Sequence, residues 1–79
     1  MWCVYVIKSR IKKYYYKGLT DNLERRLDQH NKGKEKTTKP WLPYDLIFVE
    51  ICKTRKEARL LEKYLKSGSG RELIEEFES

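Results

Sequence analysis

At 79 residues, with 39% hydrophobic and 13% aromatic content, the chain is too apolar for a disordered polymer and is sized for one small domain, residues 1–79. A domain of this length buries only roughly 60% of the surface its unfolded form exposes, so one modest core is expected. A net charge of +6, from 18 basic and 12 acidic residues, favours polyanionic partners, and no apolar run approaches the ~20 residues that span a bilayer.

Trp2 to Lys8 and Tyr14 to Gly18 are rich in β-branched and aromatic residues, and the polar Ser9–Lys13 stretch between them predicts a hairpin turn. Alternation along the first strand puts Cys3, Tyr5 and Ile7 on one face and Val4 and Val6 on the other, with Tyr16 opposing Tyr15 and Lys17 on the second. Thr20-Asp21 offers a helix N-cap with Glu24 as capping-box partner, and Leu23 and Leu27 form an apolar pair. This helix is expected to run to about Lys32 and stop at Gly33. Lys34 to Tyr44 reads as a long basic loop, because prolines at 40 and 43 exclude a regular helix or a central strand.

Asp45 to Cys52 is a nearly continuous apolar run, which predicts a third strand buried on both faces. Thr54-x-x-Glu57 matches a capping box, and Ala58, Leu61 and Leu65 follow at helical spacing up to Ser67. Gly68 and Gly70 are expected to break this helix, with Arg71 to Phe77 forming a short C-terminal helix. The expected class is α+β: a three-stranded antiparallel sheet flanked by two main helices and a short third, in the order β-β-α-β-α-α.

The charge is unevenly spread, since Met1–Lys39 holds eleven Lys or Arg against four Asp or Glu, and Pro40–Ser79 holds seven against eight. Basic character concentrated in the first half supports nucleic-acid binding. Cys3 and Cys52 lie far apart without a Cys/His cluster, so both read as reduced core thiols of a cytoplasmic protein. Met1-Trp2-Cys3 does not begin a signal peptide, so secretion and membrane insertion are not expected.

Helical geometry, at about 100° per residue, singles out particular side chains. Relative to Leu23, Arg26 and His30 rim the buried stripe of the first helix, whereas Arg25 points away from it. On the second helix Glu62 lies beside Ala58 at the edge of the apolar stripe. Its neighbours Arg59 and Lys66 serve either as surface ion-pair partners or as phosphate ligands. Tyr5 and Tyr16 are either amphipathic core residues or site hydroxyls, and His30 near a helix C-terminus is either a dipole partner or a catalytic group. Lys32, Lys34, Lys36 and Lys39 are either a solvated loop or phosphate contacts beside Trp41, whose ring suits a stacked base. Ser67-Gly68-Ser69-Gly70-Arg71 follows a helix and lacks the Walker lysine, so it is not read as a P-loop.

In order along the chain stand Val4-Tyr5-Val6, Tyr16-Lys17-Gly18, then Thr20, Leu23, Arg26, Leu27, His30 and Asn31. Glu57-Ala58, Leu61-Glu62-Lys63 and Lys66 follow. This order resembles the GIY-YIG nucleases over essentially the whole chain, and is most similar to small stand-alone bacterial members akin to the nuclease domain of the excision-repair excinuclease. Val4 stands where the family's first motif has glycine, and Lys17 where its second has an aliphatic residue.

The resemblance implies metal-dependent hydrolysis of DNA phosphodiester bonds in DNA repair or processing, with Tyr5, Tyr16, Arg26, His30 and Glu62 as catalytic residues. Glu62 would hold a single Mg²⁺ or Mn²⁺ against the leaving oxygen, and Arg26 would neutralise the phosphate. Tyr16 or Tyr5 would orient or deprotonate the attacking water, with His30 supporting the phosphate or that tyrosine. Gly18, Lys34, Lys36, Lys39, Lys66 and Arg71 are the expected nucleic-acid contacts. The expected partner is branched, flap or single-stranded DNA; the rival readings are a non-catalytic binding or adaptor module on the same fold, or an RNA-directed version.

Overall fold

The hairpin forms where the aromatic and β-branched residues place it. In the computed structural model, which describes residues 1–78, β1 spans Trp2–Ser9 and β2 spans Tyr15–Thr20. They pair antiparallel, with Tyr5 opposite Gly18 and Ile7 opposite Tyr16. Ser9 organises the turn, its hydroxyl accepting from the amides of Ile11 and Lys12. The chain continues through α1 (Leu23–Asn31), a 3-10 turn at Lys39–Trp41, β3 (Tyr44–Cys52), α2 (Arg55–Lys66) and α3 (Gly68–Glu78). The sheet order is β2-β1-β3, all antiparallel. The α+β class and the element order are those the sequence indicates.

Four local expectations need correction. α1 is capped by Asn22, whose side chain accepts from the Arg25 amide, so the cap lies one residue beyond Thr20-Asp21 and Glu24 has no capping-box role. Thr20 instead accepts from the Asn22 amide and closes the preceding turn. β3 is not buried on both faces, because β1 takes the centre of the sheet; Leu46, Val49 and Ile51 are exposed along the β3 margin.

α3 is longer than expected, and the glycines do not separate it from α2. The break falls at Ser67 alone, whose extended backbone turns the chain and whose hydroxyl oxygen accepts from the Gly70 amide. Gly70 sits inside the junction: a Cβ there would lie 2.2 Å from the Tyr64 carbonyl oxygen and 2.5 Å from the Leu65 Cα. The basic loop also contains more order than its prolines imply. Pro40 sits in the first positions of the 3-10 turn, and the Leu42–Pro43 peptide bond is cis.

The sheet has a cluster on each face. Val4 and Val6 pack with Cys52, Ala58, Leu65 and Ile74 beneath α2 and α3. Tyr5, Ile7 and Tyr44 pack with Leu23, Leu27, Tyr14 and Tyr16 beneath α1. The second cluster encloses a polar residue, His30, which is fully buried. Its Nδ1 lies 2.8 Å from the Thr38 hydroxyl, and Thr38, also fully buried, accepts on its carbonyl from the Tyr44 hydroxyl at 2.8 Å. Asn31 bonds the Tyr44 backbone on both sides. The segment after α1 is thereby fastened to helix and sheet. Among the described residues, no helix is long and apolar enough to cross a membrane.

Two stability measurements follow. Leu65→Ala, at a fully buried site, should cost about 2–5 kcal/mol, whereas Leu60→Ala, at a side chain 61% exposed, should stay within about 0.5 kcal/mol; urea melts of the two variants check the assignment of the α2 core face. Burial, followed by the nearby Arg26 charge, holds the His30 pKa below its ordinary value. Unfolded imidazole titrates near 6.5, so below that pH the unfolded chain binds a proton that the native chain refuses. Stability is full above about pH 6.5 and falls as pH drops toward the lower native value. The melting temperature should decline between about pH 7.5 and pH 5.5 more steeply for the natural chain than for His30→Gln; equal slopes would remove His30 as the cause.

Candidate active site

Tyr5 sits at the middle of β1, where alternation turns it toward α1 and the register places it opposite Gly18. Its ring crosses Gly18 toward the outer edge of β2. A Cβ at Gly18 would stand 2.5 Å from the Tyr5 hydroxyl oxygen and 2.7 Å from Cζ, so the Tyr16-x-Gly18 pattern has a steric reason: only glycine lets this ring pass. Gly18, expected to touch nucleic acid, is buried and makes room for Tyr5.

The Tyr5 hydroxyl lies 2.9 Å from His30 Nε2. Burial and then the neighbouring Tyr16 push the Tyr5 pKa up to about 12, against the opposing pull of Arg26. A protonated Tyr5 needs an acceptor, and Nε2 is the acceptor within reach. The neutral imidazole then carries its proton on Nδ1 and donates to Thr38. Helical arithmetic puts His30 on the rim beside Arg26; it lies instead behind Tyr5, fully buried, with the Tyr16 ring 4.8 Å from its own.

Tyr5, Tyr16, Gly18 and Arg26 line one wall of a surface cleft of about 380 Å³; Leu19, Arg55, Arg59 and Glu62 line the rest. The cleft straddles the outer edge of β2. One wall comes from the α1 face of the sheet, and α2 reaches around the edge from the opposite face. Tyr16 is partly exposed here, and among the described residues its hydroxyl has no hydrogen-bond partner. Glu62 is 20% exposed and, among the described residues, forms one ion pair, with Lys66 at 3.6 Å.

Arg26 is held rigidly. Its Nη1 donates to Glu35 at 2.8 Å and to Gln29 at 3.1 Å. Glu35 belongs to the segment that carries Lys34, Lys36 and Lys39, so this ion pair fixes the basic segment next to the cleft. One face of the Trp41 ring carries the Lys12 ammonium, 4.0 Å from its centroid. Arg71 lies outside the cleft, on a second cavity with Lys13 and Lys17.

Arg55 is not singled out by the sequence motifs, although a signal is present. Residues 55, 59, 62 and 66 recur at helical spacing and fall within about 60° of one another on α2, a charged stripe beside the apolar one. A divalent cation fits this donor set in a specific way. Glu62 is a single, partly buried carboxylate, and among the described residues no cluster of three His, Cys, Asp or Glu side chains is present. One carboxylate suits a hard ion such as Mg²⁺, which keeps several waters and takes the rest of its shell from substrate phosphate.

Residues 1–75 match the GIY-YIG catalytic domain. The UPF0213 protein YazA of Bacillus subtilis is 41% identical over 63 residues, covering 78% of this chain and 63% of that protein. A UPF0213 protein of Bacillus licheniformis is 44% identical over 52 residues, covering 65% of this chain and 54% of that protein. The chain therefore spans between about half and two thirds of the length of these relatives. The solution NMR structure of a UPF0213 protein from Bacillus halodurans matches with a TM-score of 0.56 at 27% identity, over 94% of this chain and 82% of that one. With the family match running through both tyrosine motifs, Arg26, His30 and Glu62, this chain belongs to the GIY-YIG catalytic domain family.

Proposed function

We propose that this chain hydrolyses phosphodiester bonds of DNA with the help of one divalent cation, Mg²⁺ or Mn²⁺, held by Glu62. The observation that carries the reading is the cleft at the β2 edge, where two tyrosines and an arginine from one sheet face meet a carboxylate and two arginines from the other. A phosphodiester resists attack because its charge repels the nucleophile and its leaving oxygen departs as an anion. A cation bound at Glu62 would supply positive charge at the phosphate and the leaving group.

The chain's own residues take the remaining roles. Arg26, already oriented by Glu35 and Gln29, presents its guanidinium to the phosphate oxygens. Tyr16, whose hydroxyl is open to the cleft, orients the attacking water. Tyr5 gives its proton to the hydrogen bond with His30 Nε2, which leaves an oxygen lone pair for that water or for Tyr16. His30 acts through Tyr5 and is a positioning residue. Arg55 and Arg59 hold the flanking backbone. These are phosphate-directed groups with no array for reading base edges, so recognition depends on DNA form, such as flaps, branches or single strands, more than on sequence.

The test is cleavage of labelled single-stranded, duplex, flap and branched DNA with Mg²⁺ or Mn²⁺. Glu62→Gln should lower turnover by about 10²–10³-fold or more while changing stability by less than about 1 kcal/mol, because its contact with Lys66 is a surface pair. Binding by both proteins with cleavage by neither would favour a non-catalytic nucleic-acid-binding module, and preferential cutting of RNA an RNA-directed one. Gly18→Ala should displace the Tyr5 hydroxyl and lower the rate constant for cleavage by about 10²-fold, with DNA affinity little changed. An unchanged rate in that variant would remove Tyr5 from the chemistry.

A further inference from the structure

On the α2 and α3 side of the sheet, opposite Tyr5, a cavity of about 250 Å³ is lined by Lys13, Lys17 and Arg71, with Tyr14, Tyr15, Ile74 and Glu75 completing its walls. Lys17 is the residue that departs from the family's second motif, and its register opposite Val6 turns it to this face. Among the described residues neither Lys17 nor Arg71 has a carboxylate ion-pair partner. Burial lowers the Lys17 pKa, and the nearby Arg71 and Lys66 charges lower it further. Three cations thus crowd together, and Glu75 is the one acidic side chain among the described residues of the cavity wall. Like charges held this close, offset on the cavity wall by Glu75, repel one another and favour a bound anion.

The cavity is joined to the cleft by the charged stripe of α2. Arg55, Arg59 and Glu62 line the cleft, and Lys66, next on the same helix face, touches Glu62 at one end and acts on Lys17 at the other. From Arg55 to Lys66 the helix rises about 16 Å, and one strand of duplex DNA carries about five phosphates over that axial length. Cleft, Lys66 and cavity therefore follow one course along the β2 edge.

We propose that the Lys17–Arg71 cavity is a second phosphate-binding subsite, gripping the same DNA strand on the far side of Lys66 from the phosphate at Glu62. The proposal deepens the nuclease reading and rests on it for the placement of the strand. Tyr15, with the Lys17 ammonium 5.9 Å from its ring centroid, forms the aromatic wall against which a sugar would lie.

The experiment measures the affinity of the uncleaving Glu62→Gln protein for labelled duplex DNA across a salt series. Each phosphate contact adds about 0.9 to the steepness of log affinity against log salt. Lys17→Gln with Arg71→Gln should reduce that steepness by about one to two; Arg10→Gln with Lys53→Gln, which removes the same charge elsewhere, should leave it nearly unchanged. Lys17→Arg, which keeps the charge, should retain the full slope and so exclude a mere packing defect. Equal slopes for the two double variants would overturn the subsite, since the cavity would then contribute only to the overall field. The readout is independent of cleavage: a natural chain that binds but never cuts would remove the proposed hydrolysis and leave the subsite standing. A chain that cuts while the two double variants share one slope does the reverse, and a chain with no affinity for DNA overturns both.

Discussion

The hydrogen bond between the Tyr5 hydroxyl and His30 Nε2, 2.9 Å long and shut away from bulk water, is the contact on which the rest of this structure depends. It joins the central strand to α1. Through Nδ1 and Thr38 it continues into the segment after α1, and through Tyr44 it reaches the start of β3. A buried polar group left without a partner costs about 1–3 kcal/mol, so each group in this line enforces the position of the next. Among the described residues no buried side-chain polar atom lacks a partner. The same line aims the Tyr5 ring across Gly18 and into the cleft, so the contact that fastens the fold also positions the site.

The sheet edge explains how so small a fold assembles so many groups at one place. A three-stranded sheet with β1 at its centre offers two edges, and at the β2 edge side chains from both faces meet. Tyr16 and Arg26 arrive from the α1 side and Arg55, Arg59 and Glu62 from the α2 side. Neither helix carries a complete site by itself. The division also separates demands: α1 delivers the residues that must be buried and oriented, whereas α2 delivers charges that remain near water.

Much of this was legible in the sequence, and the misreadings have physical causes. Period-two alternation assigned Cys3, Tyr5 and Ile7 to one face and Val4 and Val6 to the other, because a strand admits no other arrangement. Thr54 was identifiable as the α2 cap, and its hydroxyl does accept from the Glu57 amide. The apolar run of β3 misled, because hydrophobicity reports a preference for burial and says nothing about which strand takes the centre. Gly68 and Gly70 read as a helix break, yet the close approach of α3 to the Tyr64 carbonyl demands Gly70 inside the new helix. The rim position inferred for His30 was too shallow, since angle around an axis does not give depth. Glu35 drew no notice among lysines, and its bond to Arg26 depends on the path of an irregular segment that no periodicity encodes.

The exposed row of Leu46, Val49 and Ile51 on β3 has a colloidal consequence. An apolar edge strand with unpaired backbone groups is a template on which another copy can add a strand. Here the excess of six positive charges keeps neighbouring molecules apart at low ionic strength, so the field that draws a polyanion also protects the edge. Salt shortens the reach of that repulsion to about 10 Å at 0.1 M while leaving the apolar row as attractive as before. Solubility in this chain is thus tied to its surroundings: dilute buffer preserves the repulsion that guards the sticky margin, and concentrated salt removes it.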